Sequence, residues 1–157
     1  MKLTLIFTGK TQSGYLKEGI GDYTKRLERY APVKIKVIEE TGKKSGSSAA
    51  RTKTRENGKI ISGIDNNSFI VLLDEKGETF SSQKFAKFVE KTMIHGYKEF
   101  VFITGGPYGF PDNLYNMANK VISLSQMTFS HQMVRLILVE QLYRAMTIIR
   151  GEPYHHE

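Results

Sequence analysis

The chain has 157 residues, of which 39% are hydrophobic and 25% charged, a length and composition typical of one folded domain and not of a disordered chain. It contains no cysteine, which excludes disulfides, thiolate metal sites and a cysteine nucleophile. The net charge is +7, and no apolar run approaches the roughly 18 residues that a membrane-spanning helix needs. The short apolar start is interrupted by Lys10 and is not typical of a signal peptide. We therefore expect a cytoplasmic protein that does not act at a membrane.

The positive charge is concentrated in the first part of the chain. Residues 1–60 contain 14 Lys or Arg against 6 Asp or Glu, whereas residues 61–157 contain 9 against 10. Such asymmetry indicates a polyanionic partner, of which nucleic acid is the commonest. The alternative is a solvated basic surface that only aids solubility.

The first half is predicted to hold, in chain order, a buried strand at Lys2–Thr8, a helix at 13–30, a half-exposed strand at Val33–Ile38, a loop at 41–48 and a polar helix at 49–62. The first helix has Leu16, Ile20 and Leu27 at helical spacing, and Pro32 stops it. The loop is indicated by its Gly, Ser and Lys content.

The second half is predicted to hold a strand at 69–73, a helix at 81–95, a strand at 100–104, a helix at 112–120, a strand at 121–124 and an apolar helix at 134–149. Strands separated by helices indicate an α/β fold, with a mainly parallel sheet and helices on both faces. Ligands bind such sheets at the carboxyl ends of the strands. The loops after Leu73, Thr104 and Leu124 are therefore the first places to look for a site.

The glycine-rich segment 105–109, Gly-Gly-Pro-Tyr-Gly, follows a predicted strand and precedes a predicted helix. Glycines there would let backbone amides approach a ligand closely. Two alternatives are a plain glycine turn and the loop of a KH-type RNA-binding module, although a KH loop joins two helices. The earlier segment 8–11, Thr-Gly-Lys-Thr, lacks the first glycine of a phosphate-binding loop, and we interpret it as a turn.

The histidines do not form a plausible metal site. His155 and His156 are adjacent, so their side chains diverge, and no cysteine completes a ligand set. We therefore expect a protein that works without a metal.

Three segments of the second half together resemble one known family: Gly-Gly-Pro-Tyr-Gly at 105–109, LSQMTFSHQMVR at 124–135 and EQLYRA at 140–145. The closing run RGEPYHH at 150–156 and the early runs KLTLI at 2–6 and YTKRL at 23–27 also match. The chain is similar to the RlmH family, the pseudouridine N3-methyltransferases of bacterial 23S rRNA in the SPOUT class. The resemblance covers nearly the whole chain except a variable part at about 41–67. It departs at Ser130, where the family often has proline.

The resemblance implies a fold that periodicity alone does not reveal. It implies a single SPOUT domain over 1–157 whose C-terminal part forms a deep trefoil knot, with the knot and the cofactor site within about 70–157. It also implies a homodimer that uses S-adenosylmethionine to methylate N3 of a pseudouridine in the 23S rRNA of the assembled 70S ribosome.

The resemblance also implies which residues line the cofactor pocket: Leu73, Gly105, Gly106, Leu124, Ser125, Gln126, Met127, Thr128 and Phe129. The acceptor is an imide nitrogen that must lose a proton, and the candidate catalytic residues are His131, Arg144, Tyr154 and His155. Arg144 could stabilise the imide anion and His155 could accept the proton. The alternatives are an ion pair between Arg144 and Glu140, four positions earlier, and a structural role for Tyr154 and His155 in holding the tail.

The basic first part supplies the expected RNA contacts: Lys25, Arg26, Arg29, Lys43 and Lys44. A competing interpretation is a non-catalytic basic RNA-binding module that uses the glycine loop only on phosphates. A Rossmann-type dehydrogenase is disfavoured because Gly9 stands alone after the first strand.

Overall fold

The computed structural model describes residues 1–38, 58, 60, 62, 64–106 and 109–156. Within them, the strands are β1 (Lys2–Thr8), β2 (Val33–Ile38), β3 (Ser68–Thr79), β4 (Glu99–Thr104) and β5 (Lys120–Ser123). The helices are α1 (Gly14–Leu27), α2 (Ser82–Ile94), α3 (Asp112–Met117) and α4 (Met133–Arg150). The strands form one sheet in the order β2-β1-β4-β3-β5, and every pair is parallel, which confirms the predicted α/β class.

Helices cover both faces of the sheet, as predicted. On one face, α1, α2 and α4 pack against alternate strand residues such as Leu5, Phe102 and Val71. On the other face, Leu114 of α3 and the buried Ile60 pack against the remaining set, which includes Ile103. All six residues of the central strand β4 are buried, as expected for a strand covered on both sides.

Most predicted boundaries agree with the structure, and the differences have local causes. Helix α1 ends at Leu27, and the three residues after it form a turn. Ser81 caps α2 as expected, since its side chain accepts a hydrogen bond from the Lys84 backbone N–H. Helix α3 ends at Met117 because β5 already begins at Lys120. The predicted loop 41–48 and nearly all of the predicted helix 49–62 lie outside the described residues.

The prediction for β3 was wrong in length. The strand was expected to end at Leu73 but continues to Thr79. Its pairing with β5 shifts register between Leu73 and Glu78, which both lie opposite Ile122. At the shift the backbone of β5 passes so close to Gly77 that a Cβ on this residue would lie 2.5 Å from the Ile122 carbonyl carbon. Glycine therefore permits the bulge that lets the strand continue.

None of the described helices is long and apolar enough to cross a membrane. The carboxyl ends of β1, β4 and β5 and the middle of β3 lie at one edge of the sheet, since the strands are parallel and Leu73 of β3 is paired with Thr104 at the end of β4. This edge carries a cleft lined by residues of β3 and of the loops after β4 and β5.

Candidate active site

A cleft of about 340 Å³ opens at the carboxyl edge of the sheet. Three chain segments build it: the middle of β3, the loop after β4 and the loop after β5, with the residues that lead into α4. The lining residues are Leu73, Asp74, Glu75, Gly105, Gly106, Gly109, Phe110, Ile122, Ser123, Leu124, Ser125, Met127, Thr128, Phe129, His131 and Val134. Its size and mixture of apolar walls with a few polar groups are typical of small-molecule sites.

Serine side chains shape the loop after β5. Ser123 Oγ donates to the Ser125 carbonyl at 2.7 Å, and Ser125 Oγ accepts from the Met127 backbone N–H at 2.9 Å. Ser130 Oγ accepts from the Met133 N–H at 3.1 Å, where α4 begins. The loop is therefore held in a defined turn although Met127 is 78% and Phe129 41% exposed. These two apolar side chains stand at the cleft with little protein cover.

The loop after β4 forms the opposite wall. Gly109 has a φ of +68°, which favours glycine, and its N–H donates to the Gly106 carbonyl at 3.1 Å. A Cβ on Gly105 would lie 3.3 Å from the ring of Phe110, so the backbone here packs directly on an aromatic side chain. The two glycines at the start of the loop expose backbone to the cleft. Pro107 and Tyr108 lie outside the described residues.

Two carboxylates line the cleft, Asp74 and Glu75. Asp74 is held in place, because its Oδ1 accepts from the Lys76 N–H at 2.8 Å and its Oδ2 from the Tyr115 hydroxyl at 2.5 Å. Burial and the hydrogen bond to Asp74 raise the pKa of Tyr115 well above its ordinary value, so it remains a protonated donor. The cleft therefore has one acidic side, which suits a ligand with positive charge.

A second polar cluster joins α4 to the C-terminal residues. Glu140 Oε1 accepts from Arg144 Nη2 at 2.5 Å and from the Tyr154 hydroxyl at 3.1 Å. Arg144 Nη1 lies 3.3 Å from His155 Nδ1, and because a guanidinium can only donate, this contact needs an unprotonated Nδ1. The Tyr154 hydroxyl also meets that of Tyr23 on α1 at 3.2 Å.

The electrostatics of this cluster favour donors. Hydrogen bonding to Glu140 raises the pKa of Arg144 above its ordinary value, against the effect of burial. Burial, the hydrogen bond with Tyr23 and the charge of Glu140 raise the pKa of Tyr154 well above its usual range. Both groups therefore stay protonated at neutral pH, with donors directed at Glu140.

Residues 1–155 match the sequence profile of a family described as "Predicted SPOUT methyltransferase". The chain belongs to the SPOUT methyltransferase family. Membership brings the C-terminal trefoil knot of this family, an exception to the general absence of knots in proteins. The parallel sheet and its carboxyl-edge cleft are thus the scaffold of a SPOUT enzyme.

Relatives match this SPOUT chain over its full length. A ribosomal RNA large subunit methyltransferase H of Parabacteroides distasonis is 48% identical over 157 residues and covers 100% of both chains. One of the same name from Cytophaga hutchinsonii is 48% identical over 156 residues, which is 99% of this chain and 100% of the relative. A solved structure, a probable methyltransferase from Bordetella pertussis, has a TM-score of 0.55 at 6% identity, over 92% of this chain and 93% of the other. This last similarity concerns the fold alone.

The carboxyl-edge cleft contains most of the residues that were expected to hold the cofactor. Gln126 is exposed and is not among the lining residues. The other eight line the cleft: Leu73, Gly105, Gly106, Leu124, Ser125, Met127, Thr128 and Phe129. Sequence reasoning missed Asp74, Glu75 and Phe110. Asp74 directly follows the apolar run of β3, and this position at a strand end was the available signal.

The four candidate catalytic residues fall into two groups. His131 lines the cleft, whereas Arg144, Tyr154 and His155 form the second cluster and do not line the cleft of their own chain. The ion pair between Arg144 and Glu140 considered from the sequence is present. The sequence indicated Glu140 only as the ion-pair partner of Arg144. Its position at the centre of the cluster is visible only in the folded structure.

The candidate RNA-binding residues differ in their exposure and in whether they already form an ion pair. Lys25 and Arg29 are exposed near the end of α1. Arg26 is half-buried, forms an ion pair with Asp22 at 2.9 Å and lies over the ring of Tyr23 at 5.3 Å. Lys43 and Lys44 lie outside the described residues.

Among the residues that the structure describes, no group of three His, Asp or Glu could hold a metal ion, and activity without a metal stays a prediction.

Proposed function

We propose that the chain transfers a methyl group from S-adenosylmethionine to N3 of a pseudouridine in the 23S rRNA of the assembled 70S ribosome. The observation that carries the proposal is the carboxyl-edge cleft, which contains residues of two of the segments by which the chain resembles its family, 105–109 and 124–135. Full-length relatives at 48% identity named ribosomal RNA large subunit methyltransferase H support the choice of substrate.

The residues of the cleft fit this cofactor. Leu73, Leu124 and Phe129 offer apolar surface for an adenine ring, and the backbone around Gly105 offers hydrogen-bonding groups without a Cβ. The acidic side at Asp74 suits a cationic ligand. When bound, S-adenosylmethionine supplies a methyl group on a sulfonium centre. The task of the protein is then to align donor and acceptor and to exclude water.

His131 is the candidate for handling the proton of the acceptor. The imide nitrogen of pseudouridine carries a proton at neutral pH that must leave before or during transfer. His131 lines the cleft, and an imidazole can take up a proton near neutral pH. The exposed Met127 and Phe129 stand beside it, where an incoming base would cover them.

We expect the second polar cluster, which contains Arg144 and Tyr154, to act in a homodimer. Arg144 and Tyr154 are protonated donors suited to stabilise an imide anion, but they do not line the cleft of their own chain. In a dimer, the cluster of one protomer would complete the cleft of the other. Helix α4 supports a second buried face, because each of its residues from Met133 to Ile149 is buried or only half exposed.

The experiment combines calorimetry, sedimentation and an activity assay on the wild-type chain. We expect S-adenosylmethionine to bind in the presence of EDTA, the chain to sediment as a dimer, and intact 70S ribosomes from an unmethylated strain to accept a methyl group. RNA binding without any binding of S-adenosylmethionine would favour the non-catalytic RNA-binding module. Cofactor binding that vanishes with EDTA would contradict the metal-free scheme.

A further inference from the structure

The segment from the end of β1 to the first turn of α1 is exposed, basic and without a role in the scheme above. Lys10 is exposed, and Tyr15, in the first turn of α1, is 65% exposed although it is a large aromatic residue. The first acidic residue of the chain is Glu18, so this segment has a local positive charge. Among the described residues, the Tyr15 ring contacts no other aromatic ring.

Buried Arg135 of α4 fixes this segment to the sheet edge. Its side chain is fully buried, and it donates to the carbonyl of Thr8 at 2.5 Å, to that of Gly9 at 2.9 Å and to Thr11 Oγ1 at 2.9 Å. The guanidinium also lies 5.4 Å from the centre of the Phe7 ring. The backbone from the end of β1 to Thr11 is therefore held by a residue of the last helix.

The same contacts place the segment beside the cleft. The Gln12 N–H donates to Gln132 Oε1 at 2.8 Å. Gln132 directly follows His131, and Arg135 directly follows Val134, both of which line the cleft. The end of β1 also lies next to the end of β4, since Thr8 Oγ1 donates to the Thr104 carbonyl at 3.3 Å.

The orientation of Tyr15 follows from the packing of α1 on α4. A Cβ on Gly19 would lie 2.9 Å from Leu136 Cδ1, so this side of α1 meets the first turn of α4 closely. Tyr15 is one turn before Gly19 and projects from the same side of the helix. Because Gln12, three positions earlier, is hydrogen-bonded to Gln132, this side of α1 places Tyr15 towards the start of α4.

We propose that Lys10 and Tyr15 form a contact for single-stranded RNA next to the target nucleotide. Tyr15 stacks on a base that flanks the target, and Lys10 pairs with a backbone phosphate. Bases in RNA loops are unstacked and are commonly received on aromatic side chains, with cationic groups alongside for the phosphates. This inference rests on the proposed function, because it assumes that the acceptor enters the cleft as part of an RNA loop.

Four variants test the contact: Tyr15→Ala, Tyr15→Phe, Lys10→Ala and the control Lys87→Ala, an exposed lysine on α2. Methylation kinetics on 70S ribosomes are measured with cofactor affinity and sedimentation. We expect Tyr15→Ala to raise KM for ribosomes about 10-fold, the size of a lost base stack, while Tyr15→Phe stays near wild type. Lys10→Ala should raise KM and reduce the salt slope of ribosome binding by about 1. Lys87→Ala and all cofactor affinities should be unchanged.

Three results would overturn the contact: a Tyr15→Phe defect equal to that of Tyr15→Ala, a loss of the dimer in Tyr15→Ala, or a KM unchanged in both Tyr15→Ala and Lys10→Ala. A failure of the proposed function is recognised separately, because the wild-type chain would then bind the cofactor but not methylate ribosomes. In that case binding of a short single-stranded RNA, compared between wild type and Tyr15→Ala, still decides whether the contact exists.

Discussion

Two buried charged side chains hold opposite edges of the sheet. Arg135 satisfies carbonyl groups at the carboxyl edge, whereas Glu99, 4% exposed, lies at the amino edge. Glu99 accepts from Thr4 Oγ1 at 2.5 Å and from Ser68 Oγ at 3.2 Å, and it pairs with Lys2 Nζ at 2.9 Å. A single carboxylate thus links three strands.

Glu99 should make the protein sensitive to acid. Burial alone would raise its pKa, but hydrogen bonds from Thr4 and Lys2 lower it below the ordinary value of 4.5. A depressed pKa stabilises the fold above the unfolded value, and this stabilisation is lost as the pH falls through the folded value. We expect the free energy of unfolding in urea to fall below about pH 4.5 more steeply in wild type than in Glu99→Gln. Equal slopes for the two proteins would show that Glu99 does not carry this dependence.

Arg135→Met should destabilise the chain strongly. The variant leaves the buried carbonyls of Thr8 and Gly9 without their guanidinium donor, a loss of about 2 to 4 kcal/mol in the free energy of unfolding. Arg150→Met, at the exposed end of the same helix, is the matched control and should change it by less than about 0.5 kcal/mol. Urea unfolding of both variants checks the difference, and similar values would contradict the role of Arg135.

At the scale of elements, β3 has two parts with different origins. Its first part, residues 68–73, is a mainly apolar run whose composition alone predicts a strand. Its second part contains Asp74, Glu75, Lys76 and Gly77, a composition typical of a loop. The second part is a strand because it pairs with β5 through Glu78 and Thr79, and Glu78 also forms an ion pair with Lys120.

Gly77→Ala should therefore disturb both stability and the cleft. The new Cβ would press on the Ile122 backbone, and β5 can relieve this only by moving the loop that follows it. We expect a loss of about 2 kcal/mol or more in the free energy of unfolding and weaker binding of S-adenosylmethionine. Gly21→Ala is the control, because nothing lies within 4 Å of its Cβ position in α1 and alanine favours helix. Unchanged cofactor affinity in Gly77→Ala would show that the bulge does not position the residues of the cleft.

The position of the cleft could be predicted from the sequence more fully than the set of residues that line it. Alternating strands and helices predict a parallel sheet, which was expected to bring the loops after Leu73, Thr104 and Leu124 to one edge. The same reasoning could not find Phe110 or Val134, because their inclusion depends on how the loops turn back. It also could not separate His131 from Arg144, since both stand near the C-terminal end of the chain. Only the packing of α4 and of the residues after it determines which side chains meet.

At the scale of the molecule, we expect different substitutions to weaken RNA binding and to stop methyl transfer. Lys25→Ala with Arg29→Ala should weaken ribosome binding and flatten its salt dependence but leave S-adenosylmethionine affinity unchanged. Arg26→Ala should have a smaller effect, because Arg26 is already paired with Asp22. Arg144→Ala should keep ribosome binding and lose methyl transfer.

Cofactor affinity, ribosome affinity and turnover are measured on the same preparations of these variants. Loss of cofactor binding in the Lys25→Ala, Arg29→Ala protein, or a normal rate in Arg144→Ala, would refute the separation. Sedimentation of each variant shows whether a defect comes instead from a lost dimer.

The hydrogen bonds of Arg135 have a consequence for how the chain folds. They join residues 126 and 127 positions apart, and Gln12 meets Gln132 over 120 positions. The end of the first strand therefore receives these donors from the last helix, so this contact cannot form until the last helix has been made. Folding dominated by such distant contacts is slow, and threading of a knot adds a further step. We therefore expect the sheet edge that forms the cleft to be among the last parts to become ordered after synthesis.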